Sequence, residues 1–94
     1  MYVLRESFTA KPGQASKLAK MFKEILPMGA RRKARVLTDA VGQFNSVVIE
    51  TEVDSMSDLD NLQKEYETRT DIRDRMKGYT DLYETGRREI YKVV

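Results

Sequence analysis

Apolar residues in this chain recur at every second position, then at every third or fourth, then at every second again, and the whole series repeats. A period of two belongs to strands and a period near 3.6 to helices, so the order of periods fixes the order of elements. Tyr2 to Thr9 alternates, with Tyr2, Leu4 and Phe8 on one face and Val3, Arg5, Ser7 and Thr9 on the other. Lys11-Pro12-Gly13 breaks that strand, and proline is well tolerated in a first helical turn. From Ala15 a helical stripe runs through Leu18, Met21 or Phe22, and Ile25, with Lys17, Lys20, Lys23 and Glu24 off it. Pro27 and Gly29 should end this helix. Arg35 to Val41 alternates, Val41-Gly42-Gln43-Phe44 reads as a short turn, and Phe44 to Val53 reads as a strand with the β-branched run Val47-Val48-Ile49. Two such runs around a glycine-containing gap predict a hairpin.

Ser55 with Asp58 three residues on resembles a capping box, with Leu59, Leu62 and Tyr66 as the stripe of the helix it opens. The stripe stumbles at Thr68-Arg69-Thr70-Asp71, which predicts a kink or a restart with Thr70 as a new cap. Met76, Tyr79 or Thr80, and Tyr83 resume it. Gly86 reads as its C-terminal stop and Arg88 to Val94 as the last strand.

Strand, helix, strand, strand, helix, strand predicts an α+β chain with a ferredoxin-like βαββαβ sandwich. Its four-stranded antiparallel sheet carries two helices on one face, the second kinked. At 94 residues the chain makes one domain, residues 1–94. Such a subunit covers only one face of its sheet. The face with Tyr2, Leu4 and Phe8 should meet the helices. The third and last strands are apolar on both faces: Val48 opposes Val47 and Ile49, and Ile90 with Val94 opposes Tyr91 with Val93. The open face is therefore expected to be a mixed patch of Val, Ile and Tyr that pairs two copies into a homodimer. Val47 or Ile49 is the expected interface position, on whichever face is open.

The chain has no histidine and no cysteine. Disulfides, thiol chemistry and a Ser-His-Asp triad are excluded, and the commonest metal ligand and general base are missing. No metal and no cofactor are expected. Apolar runs span only a few residues, far short of the roughly 20 that cross a bilayer, and the N-terminus reads as a strand. No membrane partner and a cytoplasmic location are expected.

Net charge is +2 but segregated: +7 over residues 1–35, −7 over 36–74 and +2 over 75–94. In the expected fold the basic first helix lies beside the acidic start of the second, so the blocks answer each other. The densest basic stretch is Ala30-Arg31-Arg32-Lys33-Ala34-Arg35. A base-stacking sheet needs aromatics at set spacing, and here only Phe44 follows Gly42. The stretch is expected to be a solvated loop, with no nucleic acid as partner.

Tyr66, Tyr79 and Tyr83 fall on or near the sheet-facing side of the second helix. Either they pack in the core with their hydroxyls partnered, or they line a pocket under the kink that takes a small hydrophobic ligand. Asn45 would join them there as a polar group. Arg5, Glu50 and Glu52, mid-strand, are expected to pair across strands, while Glu6 shares a face with Leu4 and Phe8.

Two stretches carry a family resemblance. Tyr2-Val3-Leu4-Arg5, with Lys11-Pro12-Gly13 opening a helix, resembles the N-terminus of NIPSNAP-like proteins, and Gly86-Arg87-Arg88-Glu89-Ile90-Tyr91-Lys92-Val93-Val94 resembles their last strand. The resemblance implies the dimeric α/β-barrel superfamily, whose ferredoxin-like subunits pair through their sheets with helices outside. It implies either a binding or structural module, or a cofactor-independent enzyme of monooxygenase or isomerase type. The haem-dependent branch does not fit a chain without histidine, and no catalytic residue carries over.

Overall fold

The computed structural model describes residues 1–28 and 33–94. Gly29, expected to end the first helix, and Ala30, Arg31 and Arg32 of the basic stretch lie outside the described residues. The strands are β1 (Tyr2–Ala10), β2 (Ala34–Thr38), β3 (Ser46–Val53) and β4 (Tyr83–Lys92). The helices are α1 (Ala15–Ile25), α2 (Met56–Thr68) and α3 (Thr70–Arg75), with short 3-10 turns at Leu26–Met28 and Tyr79–Asp81. The strands form one antiparallel sheet in the order β2-β3-β1-β4. This is the ferredoxin-like α+β arrangement.

Register decides which residues share a face. Leu4 stands opposite Thr51 and Ile90, and Arg5 opposite Glu50 and Glu89. Leu4, Val47, Ile49, Thr51 and Val53 are buried on the helix side. One core cluster joins Val47 and Ile49 to Leu18, Phe22 and Ile25 of α1 and to Ile72 of α3. A second joins Leu4 and Val53 to Leu59 and Leu62 of α2. The ambiguous stripe positions resolve in favour of the aromatics: Phe22 is buried where Met21 is half-buried, and Tyr79 packs on the core where Thr80 is exposed.

The capping box forms as expected. The Asp58 amide donates to Ser55 Oγ at 3.3 Å and the Ser55 amide donates to Asp58 Oδ2 at 3.2 Å. The stumble in the stripe is a true break between α2 and α3. Arg69, not Thr70, is the capping residue, in extended conformation at φ −82° and ψ 114°.

Three further expectations are corrected. β2 stops at Thr38 and β3 begins at Ser46, so the hairpin loop is longer than the glycine turn alone. Val47 and Ile49 face the helices, so Val48 is the β3 apolar residue on the open face. Ile90 also lies on the helix side, yet it is exposed because β4 runs at the sheet edge past the helices. Gly86 ends no helix. It sits inside β4, and a Cβ there would lie 3.0 and 3.1 Å from two carbons of the Phe8 ring. The missing side chain is what lets Phe8 lie flat across the neighbouring strand.

That contact yields a stability test. Gly86→Val should force the Phe8 ring to move and cost about 1–3 kcal/mol, the usual penalty for overpacking. The measurement is the urea midpoint, expected to fall with the slope unchanged.

Candidate functional site

Helix α2 and helix α3 diverge at Arg69, and a cavity of about 360 Å³ lies beneath them. The sheet supplies Glu6, Phe8 and Ile49, and α1 supplies Phe22 and Ile25. Tyr66 of α2, Arg73 and Met76 beyond the break, and Tyr79 complete the lining. Rings continue past it: Phe8 lies 5.0 Å from Phe22 and 4.9 Å from Tyr83, and Tyr79 lies 5.8 Å from Tyr83, centroid to centroid. Tyr66 and Tyr79 are thus brought together as lining. Tyr83 stands behind them on β4, buttressing Phe8 and Tyr79. Asn45 is elsewhere. It takes a positive φ of 63° at the entry to β3, where its carbonyl accepts the Ala10 amide at 2.8 Å.

The break that shapes the cavity is held by a residue whose role the hydrophobic pattern did not show. The Arg69 guanidinium donates to Glu65 Oε1 at 3.0 Å, to both carboxylate oxygens of Asp71, and to the Met28 carbonyl at the end of α1's extension. The signal was present in sequence as an arginine flanked by acids four residues before and two after. Within the cavity Glu6 is well shielded and paired, with Arg88 Nη2 donating to its Oε2 at 3.3 Å. Burial, and then the neighbouring Tyr83, push the Tyr79 hydroxyl above the ordinary phenol range. Tyr79 is therefore a proton-bearing donor at neutral pH. The site can seat an apolar body, offer a hydroxyl to a polar substituent on it and present charge at its edge.

Two larger hollows are lined by charged side chains. One of about 490 Å³ runs along the acidic end of α2 by Asp54, Asp58 and Glu65. The other, about 550 Å³, is the open sheet face itself. Small-molecule sites are usually concave and mostly apolar, which favours the cavity beneath the helices. The open face is more charged than expected, because alternation places Glu50 and Glu52 beside Val48. Glu50 joins three strands: Arg5 Nη2 donates to Oε2 and Arg35 Nη2 donates to Oε1, each at 2.7 Å. Arg5 also lies over the Tyr91 ring, 5.2 Å from its centroid. Of the basic stretch, Lys33 meets Glu52 at 3.7 Å and Arg35 meets Glu50, so these two cations are already answered. Among the described residues no helix is long and apolar enough to cross a membrane.

No protein-family model and no curated protein matches the sequence. Solved structures do match the fold. An uncharacterised NIPSNAP domain protein from Burkholderia xenovorans superposes with a TM-score of 0.84 at 16% identity, covering 100% of this chain and 95% of its own. A NIPSNAP family protein from Agrobacterium tumefaciens gives 0.82 at 13% identity over 99% and 92%. A candidate antibiotic biosynthesis monooxygenase from Nitrosomonas europaea gives 0.74 at 12% identity over 100% and 99%. At these identities the likeness establishes a shared ferredoxin-like fold.

The Glu50 cluster predicts an acid-sensitive stability. Hydrogen bonds from Arg35 and Arg5 hold the Glu50 carboxyl below its ordinary range. A depressed folded pKa contributes stability above the unfolded value and loses it as pH falls through the folded one. Glu50→Gln should cost about 1–2 kcal/mol at neutral pH, tempered by solvent around both arginines. Urea unfolding should show the gap to the wild type closing as the pH falls below the carboxylate range.

Proposed function

We propose that this protein is a cytoplasmic binding module that works as a homodimer and holds a small hydrophobic ligand in the cavity beneath α2 and α3. The observation that carries the reading is a concave hollow of about 360 Å³, open on one side and lined mainly by rings and aliphatic side chains. That volume lies within the range of small-molecule sites. Nucleic acid has no part in this reading, since Lys33 and Arg35 already face carboxylates.

A second copy is the proposed occupant of the open sheet face. That face carries both signs of charge beside Val3, Val48, Leu37 and Tyr91, so it complements itself when turned about a two-fold axis. An interface above about 1,000 Å² is expected.

A second reading, a cofactor-independent enzyme of monooxygenase or isomerase type, has one observation in its favour. An acceptor, Glu6, and a protonated donor, Tyr79, both line the cavity. The fold likeness to candidate monooxygenases accords with it. Oxygen uptake with polycyclic phenols, lost in Tyr79→Phe, would support it, and no uptake from any of them would remove it.

The binding reading is tested with a neutral fluorescent probe such as phenylnaphthylamine. Saturable binding is expected at one probe per chain. Met76→Phe, which fills the space, should weaken it by roughly tenfold or more, about 1.4 kcal/mol. Equal binding by the filled variant would put the site elsewhere. For assembly, sedimentation should give twice the 10.9 kDa chain mass. Val48→Asp should shift it to the monomer with the helical signal retained. A wild-type monomer at micromolar concentration would show that the open face pairs with nothing.

A further inference from the structure

We infer that the ligand of this cavity has an apolar body and a single carboxylate head, and that the head is met at the mouth by Arg73. The inference rests on the binding reading above and adds the chemical class of the ligand. It follows from which charges around the cavity are already satisfied.

Among the described residues the lining carries two charged groups, Glu6 and Arg73. Glu6, the carboxylate of the lining, takes Arg88 at 3.3 Å. Arg69, one turn before Arg73, is shared by Glu65 and Asp71. Arg75 reaches Glu24 at 4.0 Å. Arg73 alone among these arginines has no side-chain ion pair or hydrogen bond to another described residue, and it is exposed while lining the cavity. The cavity therefore opens to solvent on its side, beside a guanidinium that no described side chain answers. A guanidinium offers paired donors that match the two oxygens of a carboxylate.

The interior accepts only the rest of such a molecule. Phe8, Phe22, Ile25, Ile49 and Met76 have no polar side-chain atom that could serve a second charged group. Tyr79 adds a phenol hydroxyl, protonated at neutral pH as any tyrosine is. A cationic head would have to displace Arg88 from Glu6 while standing near Arg73, with like charge against it. A neutral head could accept a hydrogen bond from Arg73 but would leave its charge unanswered and gain less from it than a carboxylate.

The test compares three ligands of one shape: naphthoate, naphthylmethanol and naphthylmethylamine. Binding is measured by calorimetry at neutral pH and low salt. Naphthoate should bind roughly fivefold to tenfold tighter than the alcohol, the range from an exposed ion pair to a charge-assisted hydrogen bond. The amine should bind more weakly than the alcohol. Arg73→Gln should erase the advantage of naphthoate and leave the alcohol unchanged. Lys77→Gln, which removes an exposed cation outside the lining, should preserve it. The advantage should narrow as salt rises. An alcohol that binds as tightly as naphthoate, or an advantage that survives Arg73→Gln, overturns the carboxylate assignment and leaves the cavity reading intact. If none of the three binds, both fall together.

Discussion

Arg35, Glu50, Arg5 and Glu89 stand opposite one another on β2, β3, β1 and β4, a row of alternating charge across the whole sheet. The inner contacts are direct, at 2.7 Å on each side of Glu50. At the far edge Glu89 accepts the Tyr91 hydroxyl at 2.7 Å, and the Arg5 pKa is raised first by its hydrogen bond to Glu50, with Glu89 adding the smallest share. Exposed ion pairs contribute little stability, typically below about 1 kcal/mol each. Their weight here is in register. A strand slipped by one residue turns every side chain to the opposite face, which would drive Arg5 or Glu50 among the buried Leu and Val. With the row in place, Leu4, Phe8, Val47 and Ile49 must lie under the helices.

The helices then meet an apolar face that they cannot cover evenly. α1 packs Leu18, Phe22 and Ile25 onto one part of it, and α2 packs Leu59 and Leu62 onto another. A single straight helix would carry the second stripe on past the sheet. The extended residue Arg69 redirects the chain, and its guanidinium bonds to Glu65, Asp71 and the Met28 carbonyl fix the new direction. α3 can then return Ile72 and Met76 to the core. The cavity is what remains between the two directions. It is a consequence of the break, and its mouth is placed by the residues that follow the break.

The periodic elements were legible in sequence because their signal is local. Alternation gave β1 and the face of Leu4 and Phe8, Ser55 and Asp58 announced α2, and the stumble at Thr68–Asp71 marked the break. What failed was non-local. Gly86 looked like a helix stop because a glycine after a stripe usually is one. Its actual role depends on the Phe8 ring from a strand 78 positions earlier. Tyr83 continued the helical spacing by coincidence, although the chain had already turned through Gly78 at φ 86° and begun β4. Asn45 shares a polar chemistry with the tyrosines, but its position is set by a loop backbone. For the site, two of the four proposed lining residues meet at the cavity. Arg73 has no sequence signal, because an exposed arginine in a helix carries no pattern and its place in the lining depends on how α3 folds back over the sheet.

The pairing of β1 with β4 solves a problem that hydrophobic alternation leaves open. A slip of two residues keeps every side chain on its own face, so burial cannot exclude it. The dipeptide Arg5-Glu6 lies against Arg88-Glu89, with Arg5 opposite Glu89 on the open face and Glu6 opposite Arg88 on the cavity face. Slipping β4 by two in one direction sets Arg5 against Arg87, like charge against like. Slipping it in the other sets Glu6 against Ile90 and leaves a carboxylate beside the cavity without its arginine. Only the observed register satisfies both faces at once. It is also the register in which Gly86, and no bulkier neighbour, lies under Phe8. The edge strand that no helix covers is thus held by charge and by one missing side chain, and both act on the wall of the cavity.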